Sequence, residues 1–557
     1  MQQSSASKNN VLEKLREFGI VRKATHNTFI IDVATDKLYG LCRFLIKEVD
    51  AYYSTSIGVD ERPLNGSFAV YHVFVADKLG LYFLVRLEAS PSHPIVKSIT
   101  PIIPGADWAE REVMDMIGIK FAGHPRPYRL ILPYDWPNNI YPLRKDFDYN
   151  DKYPIKDKID KVIHGSTEYV VDKEVLEEEY TAVPIGPYHP ALHEPEYFEV
   201  YVDGEKIVDA RYKGFFIHRG IEKIAETRLT YDQVPFIAER ICGICGFTHS
   251  TAYCLAVENA AGIDVPERAN YIRSILLEIE RIHSHLLWMG VAFHLLGYDT
   301  GFMIMWRIRE KIMDLAEELT GNRKTYGANI VGGIRKRFDI SEEKIPYIKR
   351  LLNSVKEEYL KYIDKIVSMT EIRKRTREVG ILTHEDAKKY SVLGPHARAS
   401  GINTDVRKYR PYAAYGEVDF KVPVRDEGDV YARIIVRHEE VLESISIISQ
   451  LLDNLPKTPL RAEFDYIPEK RIGIGCTEAP RGEDLHFVIT GYGNKVYRWR
   501  PRAPSYNNLA SVPLMLRGEK LADAPIIIAS IDPCFSCTDH VVVIDIKTGR
   551  RRKLVSR

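Results

Sequence analysis

Nowhere in the 557 residues is there an apolar run of the ~20 positions that a bilayer-spanning helix needs. The opening stretch, Met1 to Asn10, has neither an apolar signal core nor a twin arginine, so a cytoplasmic chain that meets the membrane through partners is expected. An excess of one charge is missing too: 78 Lys and Arg face 77 Asp and Glu, which offers nucleic acid no polycationic surface. Cysteine is scarce and odd in number, seven in all, which argues against a disulfide framework and suits a reducing compartment with thiolates kept for metal. There is no internal repeat and no low-complexity segment. The apolar fraction of 45% is that of an ordinary folded protein, and a chain this long needs two or three domains.

Four of the few cysteines fall in two Cys-x-x-Cys pairs, Arg240-Ile241-Cys242-Gly243-Ile244-Cys245-Gly246 and Asp532-Pro533-Cys534-Phe535-Ser536-Cys537, the second followed by His540. Such a turn puts two sulfurs on one side of the backbone, as a soft metal or a redox disulfide requires. Spacing leaves three chemistries open. A structural zinc site normally has its pairs within about 20 residues of each other, whereas these are 292 apart. A thioredoxin-like redox pair leaves the second pair without a use. An iron–sulfur cluster is usually held by longer cysteine runs. Cys42, Cys254 and Cys476 stand singly at apolar positions and read as core packing.

Alternation predicts strands over 28–33, 69–75 and 81–87, preceded by a short helix over 11–19 closed by Gly19; together they make a small α+β domain. A charged stretch, 148–180, reads as a linker. Beyond it, Phe198–Val202 and Lys206–Tyr212 form a hairpin across Asp203-Gly204. Asp264 is expected to cap a helix with Pro266 in its first turn and an apolar stripe at Ile272, Ile275, Leu276, Ile279 and Ile282. Further helices are expected near 301–320, 343–369 and 427–454. Leu485–Thr490 reads as a strand, and Ile526–Ile531 as a buried strand delivering the second pair. His283, His285 and His294 read as ordinary helix residues. Gly473-Ile474-Gly475 is a partial dinucleotide loop whose third glycine is replaced by Glu478, and it is set aside.

The flanking residues take the argument further. Arg240 to His249 together with Asp532 to His540 is similar to the two signatures of nickel–iron hydrogenase large subunits. Trp108-Ala-Glu-Arg-Glu112, Gly123-His124-Pro125 and Pro142-Leu-Arg-Lys-Asp146 resemble the small hydrophilic subunit of respiratory complex I. The fusion points to the energy-converting, membrane-associated type, similar to the large subunit of formate hydrogenlyase. The runner-up is a metal-free complex-I-like quinone-site or scaffold subunit. That pattern has lost the metal-binding cysteines, and it carries His-Gly where this chain has His193-Glu194.

The resemblance implies an α+β chain with three parts: a complex-I-like domain with its linker (1–165), a mainly helical catalytic domain with small antiparallel sheets (166–540) and a maturation extension (541–557). It implies that Cys242 and Cys534 are terminal nickel ligands and that Cys245 and Cys537 bridge nickel to an iron carrying carbon monoxide and cyanide. Hydrogen is then split heterolytically, with the proton passing to Cys534 and on through Glu194. Arg481 would overhang the open coordination position, anchored by Asp532, and Glu222 and His540 would hold an auxiliary magnesium or iron. The implied partners are a small iron–sulfur hydrogenase subunit carrying a [4Fe-4S] cluster, a ferredoxin-like subunit, membrane antiporter-like subunits, a maturation protease and nickel chaperones. Trimming after His540 would remove six basic residues and one aspartate, taking the formal charge from +1 to −4.

Overall fold

The computed structural model describes residues 2–132, 136–148, 180–186, 194–215 and 218–538, without the side chains of residues 2–7, 537 and 538. Almost all of the expected linker, and all of the expected extension, lie outside the described residues.

The first domain is a five-stranded sheet in the spatial order Gly19–Lys23, Thr28–Val33, Leu81–Ala89, Ser67–Ala76, Tyr52–Glu61. Thr28–Val33 and Leu81–Ala89 run parallel and the other neighbours antiparallel. The expected strands are present. The expected first helix runs over Gln2–Leu15 instead, and Gly19 opens a strand opposite Val33. One sheet face, with Phe68, Val70, Phe74, Phe83 and Val85, packs on Leu41, Leu45 and Val113 of the helices Leu38–Lys47 and Asp107–Ile117. The other face, with Ala69, Tyr71, Val73 and Leu84, is also dry. It packs on Ile474, Leu485, Phe487 and Ile489 of a three-stranded sheet in the second domain. Burial on both faces is why Ser67–Ala76 is apolar with almost no alternation.

That second sheet, Ile472–Ala479, Gly482–Thr490 and Val496–Arg502, is antiparallel throughout. Its central strand is read from two sides. Glu483, Leu485, Phe487 and Ile489 face the first domain, while Asp484, His486 and Val488 face the helix Gly246–Ala261. Gly473 and Gly475 allow that helix to lie against the sheet: a Cβ would meet the Ala256 carbonyl oxygen at 2.1 Å and that of Ala252 at 2.0 Å. The glycines once considered for a dinucleotide loop serve close packing.

The remaining core is helical. Glu267–Leu295, Asp299–Thr320, Ile345–Ser368 and Val430–Asp453 confirm the expected helices, as Tyr197–Asp203 and Lys206–Lys213 confirm the hairpin. The predicted stripe on Glu267–Leu295 is buried, but so is most of the rest of that helix, because its charged residues are paired inside: Arg273 with Glu258, Arg281 with Glu278, and His285 with Glu440. Two expectations fail. Pro266, not Asp264, stands at the cap, and no side chain caps the helix. The run expected as a strand is the helix Ala524–Ser530, started by Pro525, whose missing N–H costs nothing in a first turn. No helix among the described residues is long and apolar enough to cross a membrane.

Candidate metal centre

The two cysteine pairs meet. Cys242 follows the short helix Val234–Ala238, and Cys245 stands at the N-cap of Gly246–Ala261. The backbone N–H groups of Ile244 and Cys245 both donate to Cys242 Sγ at 3.2 Å, an arrangement that favours the thiolate. On the other side the chain leaves Ala524–Ser530, turns at Asp532 with φ of 54°, a left-handed conformation that aspartate tolerates, and enters Pro533-Cys534. Ser505 Oγ accepts the Cys534 N–H at 3.0 Å. Cys242 Sγ and Cys534 Sγ are 3.2 Å apart, too far for a disulfide of about 2.05 Å. Cys242, Cys245 and Cys534 are buried, with exposures of 1%, 1% and 4%, and none is in a disulfide. Buried, unbridged sulfurs converging from opposite ends of a domain fit a soft metal. The Cys537 side chain and His540 lie outside the described residues.

Arg481 sits in the turn between the first two strands of the second sheet. Its Nε donates to the Asp532 carbonyl oxygen at 2.7 Å, its Nη2 to Asp532 Oδ1 at 2.8 Å and its Nη1 to Ser284 Oγ at 3.3 Å. Burial by itself would depress this guanidinium. Asp532 and the sulfurs of Cys245, Cys534 and Cys242 outweigh burial and hold it above its ordinary value. Glu194 caps the turn between the last two cysteines, with Oε2 accepting the Ser536 N–H at 2.7 Å and Oε1 accepting the Ser536 hydroxyl.

Glu222 is engaged elsewhere. Oε2 receives Arg498 Nη1 at 2.5 Å and Oε1 receives Arg500 Nη1 at 3.3 Å, while Arg500 Nη2 reaches Glu112 of the first domain at 2.6 Å. With Glu226 and Lys145 completing the cluster, its charges balance. A carboxylate taken up by two guanidiniums does not fit a cation ligand as it stands.

Two features were not anticipated. Arg219, between the Lys206–Lys213 strand and the helix Ile221–Arg228, donates to the carbonyl oxygens of Arg240 at 2.5 Å, Ile241 at 2.8 Å and Ser536 at 2.7 Å. Behind the first pair, His249, Asp484 and His486 form a wholly buried group. Asp484 Oδ2 lies 2.9 Å from His249 Nδ1 and 3.4 Å from His486 Nε2. The donor set suits a metal, but Trp499 Nε1 donates to His486 Nδ1 at 3.1 Å. An indole only donates, so the proton of neutral His486 is on Nε2, the nitrogen facing the group. That arrangement is a hydrogen-bonded pair of imidazoles on one carboxylate. Alternate placement of Asp484 and His486 on one strand was the sequence signal for it. Of the three helix histidines, His283 and His285 are buried and His294 is exposed.

Comparison with known proteins gives the family. The model of the respiratory-chain NADH dehydrogenase 49-kDa subunit matches residues 296–472 and 466–540, that of the 30-kDa subunit matches 31–153, and that of nickel-dependent hydrogenases matches 219–300. Formate hydrogenlyase subunit 5 of Escherichia coli is 44% identical over 95% of this chain and 92% of its own length. Hydrogenase-4 component G of the same organism is 40% identical over 94% and 90%. A chain of the archaeal membrane-bound sulfane sulfur reductase is 31% identical, with a TM-score of 0.62 over 65% of this chain and 98% of that one. The chain therefore belongs to the family of energy-converting, membrane-associated nickel–iron hydrogenase large subunits with a fused complex-I-like domain.

Proposed function

We propose that this chain is the catalytic subunit of a membrane-associated hydrogenase complex of the formate hydrogenlyase type, interconverting hydrogen with two protons and two electrons. The observation that carries the proposal is the 3.2 Å approach of Cys242 Sγ and Cys534 Sγ beneath the Arg481–Asp532 pair. Cys242, Cys245, Cys534 and Cys537 would together hold the nickel–iron centre, whose iron would carry carbon monoxide and cyanide. When bound, such a centre supplies a redox-active Lewis acid able to polarise hydrogen. The chain supplies the rest. Arg481 keeps a fixed positive charge over the thiols without titrating. Asp532 orients it through two acceptors. Glu194, bonded to both donors of Ser536 two residues beyond Cys534, would take up the proton and pass it on.

Electrons would arrive through an iron–sulfur partner subunit, because among the described residues Cys42, Cys254 and Cys476, the thiols outside the two pairs, are divided among three separate hydrophobic clusters, one in each, and so make no second cysteine set. Peripheral attachment to the inner membrane face, through ferredoxin-like and antiporter-like partners, and coupling to ion transport belong to the same proposal. A metal-free quinone-site or scaffold subunit is the second reading, favoured by the match to the 49-kDa subunit model. The two readings separate on the matured complex. One nickel and one non-cluster iron per chain, with infrared bands of bound carbon monoxide and cyanide, are expected. Cys534→Ser should abolish hydrogen–deuterium exchange. Absence of nickel from active complex, or full exchange in the serine variant, would reject the assignment.

A further inference from the structure

The first cysteine pair rides on the helix Gly246–Ala261, and the second on the turn leaving Ala524–Ser530. Arg481, Ser505 and Glu194 hold the second segment, through Asp532, Cys534 and Ser536, and Tyr326 holds the first through the Cys242 carbonyl oxygen at 2.9 Å. Arg219 holds both. Its guanidinium joins the carbonyl oxygens of Arg240 and Ile241, just before Cys242, to that of Ser536, just before Cys537. The fork is planar and stays charged, so it sets positions as well as making bonds. Its base is fixed in turn: Gly220, at φ of 65°, caps the helix Ile221–Arg228, and Glu222 one turn on is locked by Arg498 and Arg500.

We propose that Arg219 is the positioning residue that sets the spacing between the two cysteine pairs, with the Glu222–Arg498–Arg500 cluster as its anchor. Its consequence for a metal rests on the hydrogenase reading, but the spacing belongs to the metal-free chain and is tested there. In the full-length chain carrying Cys245→Ser and Cys537→Ser, equilibration with reduced and oxidised glutathione forms the Cys242–Cys534 bond. Two thiols are oxidised and one glutathione disulfide is reduced. The bonded fraction, read by mass spectrometry, gives the effective concentration of one thiol for the other.

Arg219→Gln is expected to lower that concentration by about tenfold or more. Arg219→Lys, which keeps the charge but cannot span both sets of carbonyls, is expected to fall close to it. Values within about twofold of the parent in both variants overturn the proposal. If the glutamine variant does not fold by circular dichroism, the lysine variant decides alone. In the assembled complex the carbon monoxide band of Arg219→Lys should shift or broaden, and a band identical to the parent's also overturns it. A parent complex without nickel or such bands would remove the hydrogenase reading and leave the thiol result to judge Arg219.

Discussion

At the scale of single residues, the chain places charge where water cannot reach and then fixes it with more than one bond. Arg481 is the plainest case, with its three donors on Asp532 and Ser284. Arg481→Lys keeps a charge but cannot hold both Asp532 acceptors, and hydrogen evolution should fall about 100-fold with nickel content unchanged. Parallel metal analysis and exchange rates check this. Glu110 shows the cost of burial in the first domain. Desolvation pushes its carboxyl up to about 7, against hydrogen bonds from Ser98, Ile99 and Thr100 that pull it down. The folded chain therefore holds a proton that the unfolded chain, with its value of 4.5, releases. Its contribution to stability is greatest below 4.5 and is lost as pH rises towards 7, a loss of about 3 kcal/mol. Urea unfolding across that window should show a flatter pH dependence for Glu110→Gln, and identical slopes would contradict the argument.

At the scale of elements, the cysteine helix and the sheet beneath it are matched by absence of side chain. Gly475→Ala puts a Cβ into the Ala252 carbonyl, so the helix carrying Cys245 must move. A loss of roughly 1–3 kcal/mol is expected in denaturant unfolding, together with reduced nickel uptake. The same glycines show what the sequence withheld. Gly473 and Gly475 are visible as a pair, but their partner, the backbone of residues 252–256, is more than 200 positions away and leaves no local mark. Ile526–Ile531 was misread for a related reason: a short run apolar on every side has no period, and only Pro525 in its first turn spoke for helix. By contrast, the two cysteine pairs stand out by spacing alone, while Arg481, Asp532 and Glu194 came into view only through the resemblance carried by the residues that flank those pairs; the structure brings Arg481 onto Asp532 and Glu194 onto Ser536. Arg219 was in view inside His218-Arg219-Gly220, yet its role depends on three carbonyl oxygens, which a side-chain alphabet does not record.

At the scale of the molecule, the first domain is built into the second. Its sheet covers Ile474, Leu485, Phe487 and Ile489, Arg410 binds Asp77, Tyr52, Tyr82 and Glu483, and Arg500 binds Glu112. Removing one member of such a buried pair costs about 3–5 kcal/mol. Residues 166–557 expressed without 1–165 should therefore aggregate, and co-expression of the two parts should restore solubility. A soluble, well-melting fragment by calorimetry would refute the claim. The strand Gly482–Thr490 extends this dependence to chain length. Since odd positions serve one neighbour and even positions the other, inserting or deleting one residue there would exchange their tenants, sending Glu483 towards the imidazoles and Asp484 into the seam between the sheets. Among descendants of this chain, length changes should accordingly spare residues 482–490 and collect in the turns on either side.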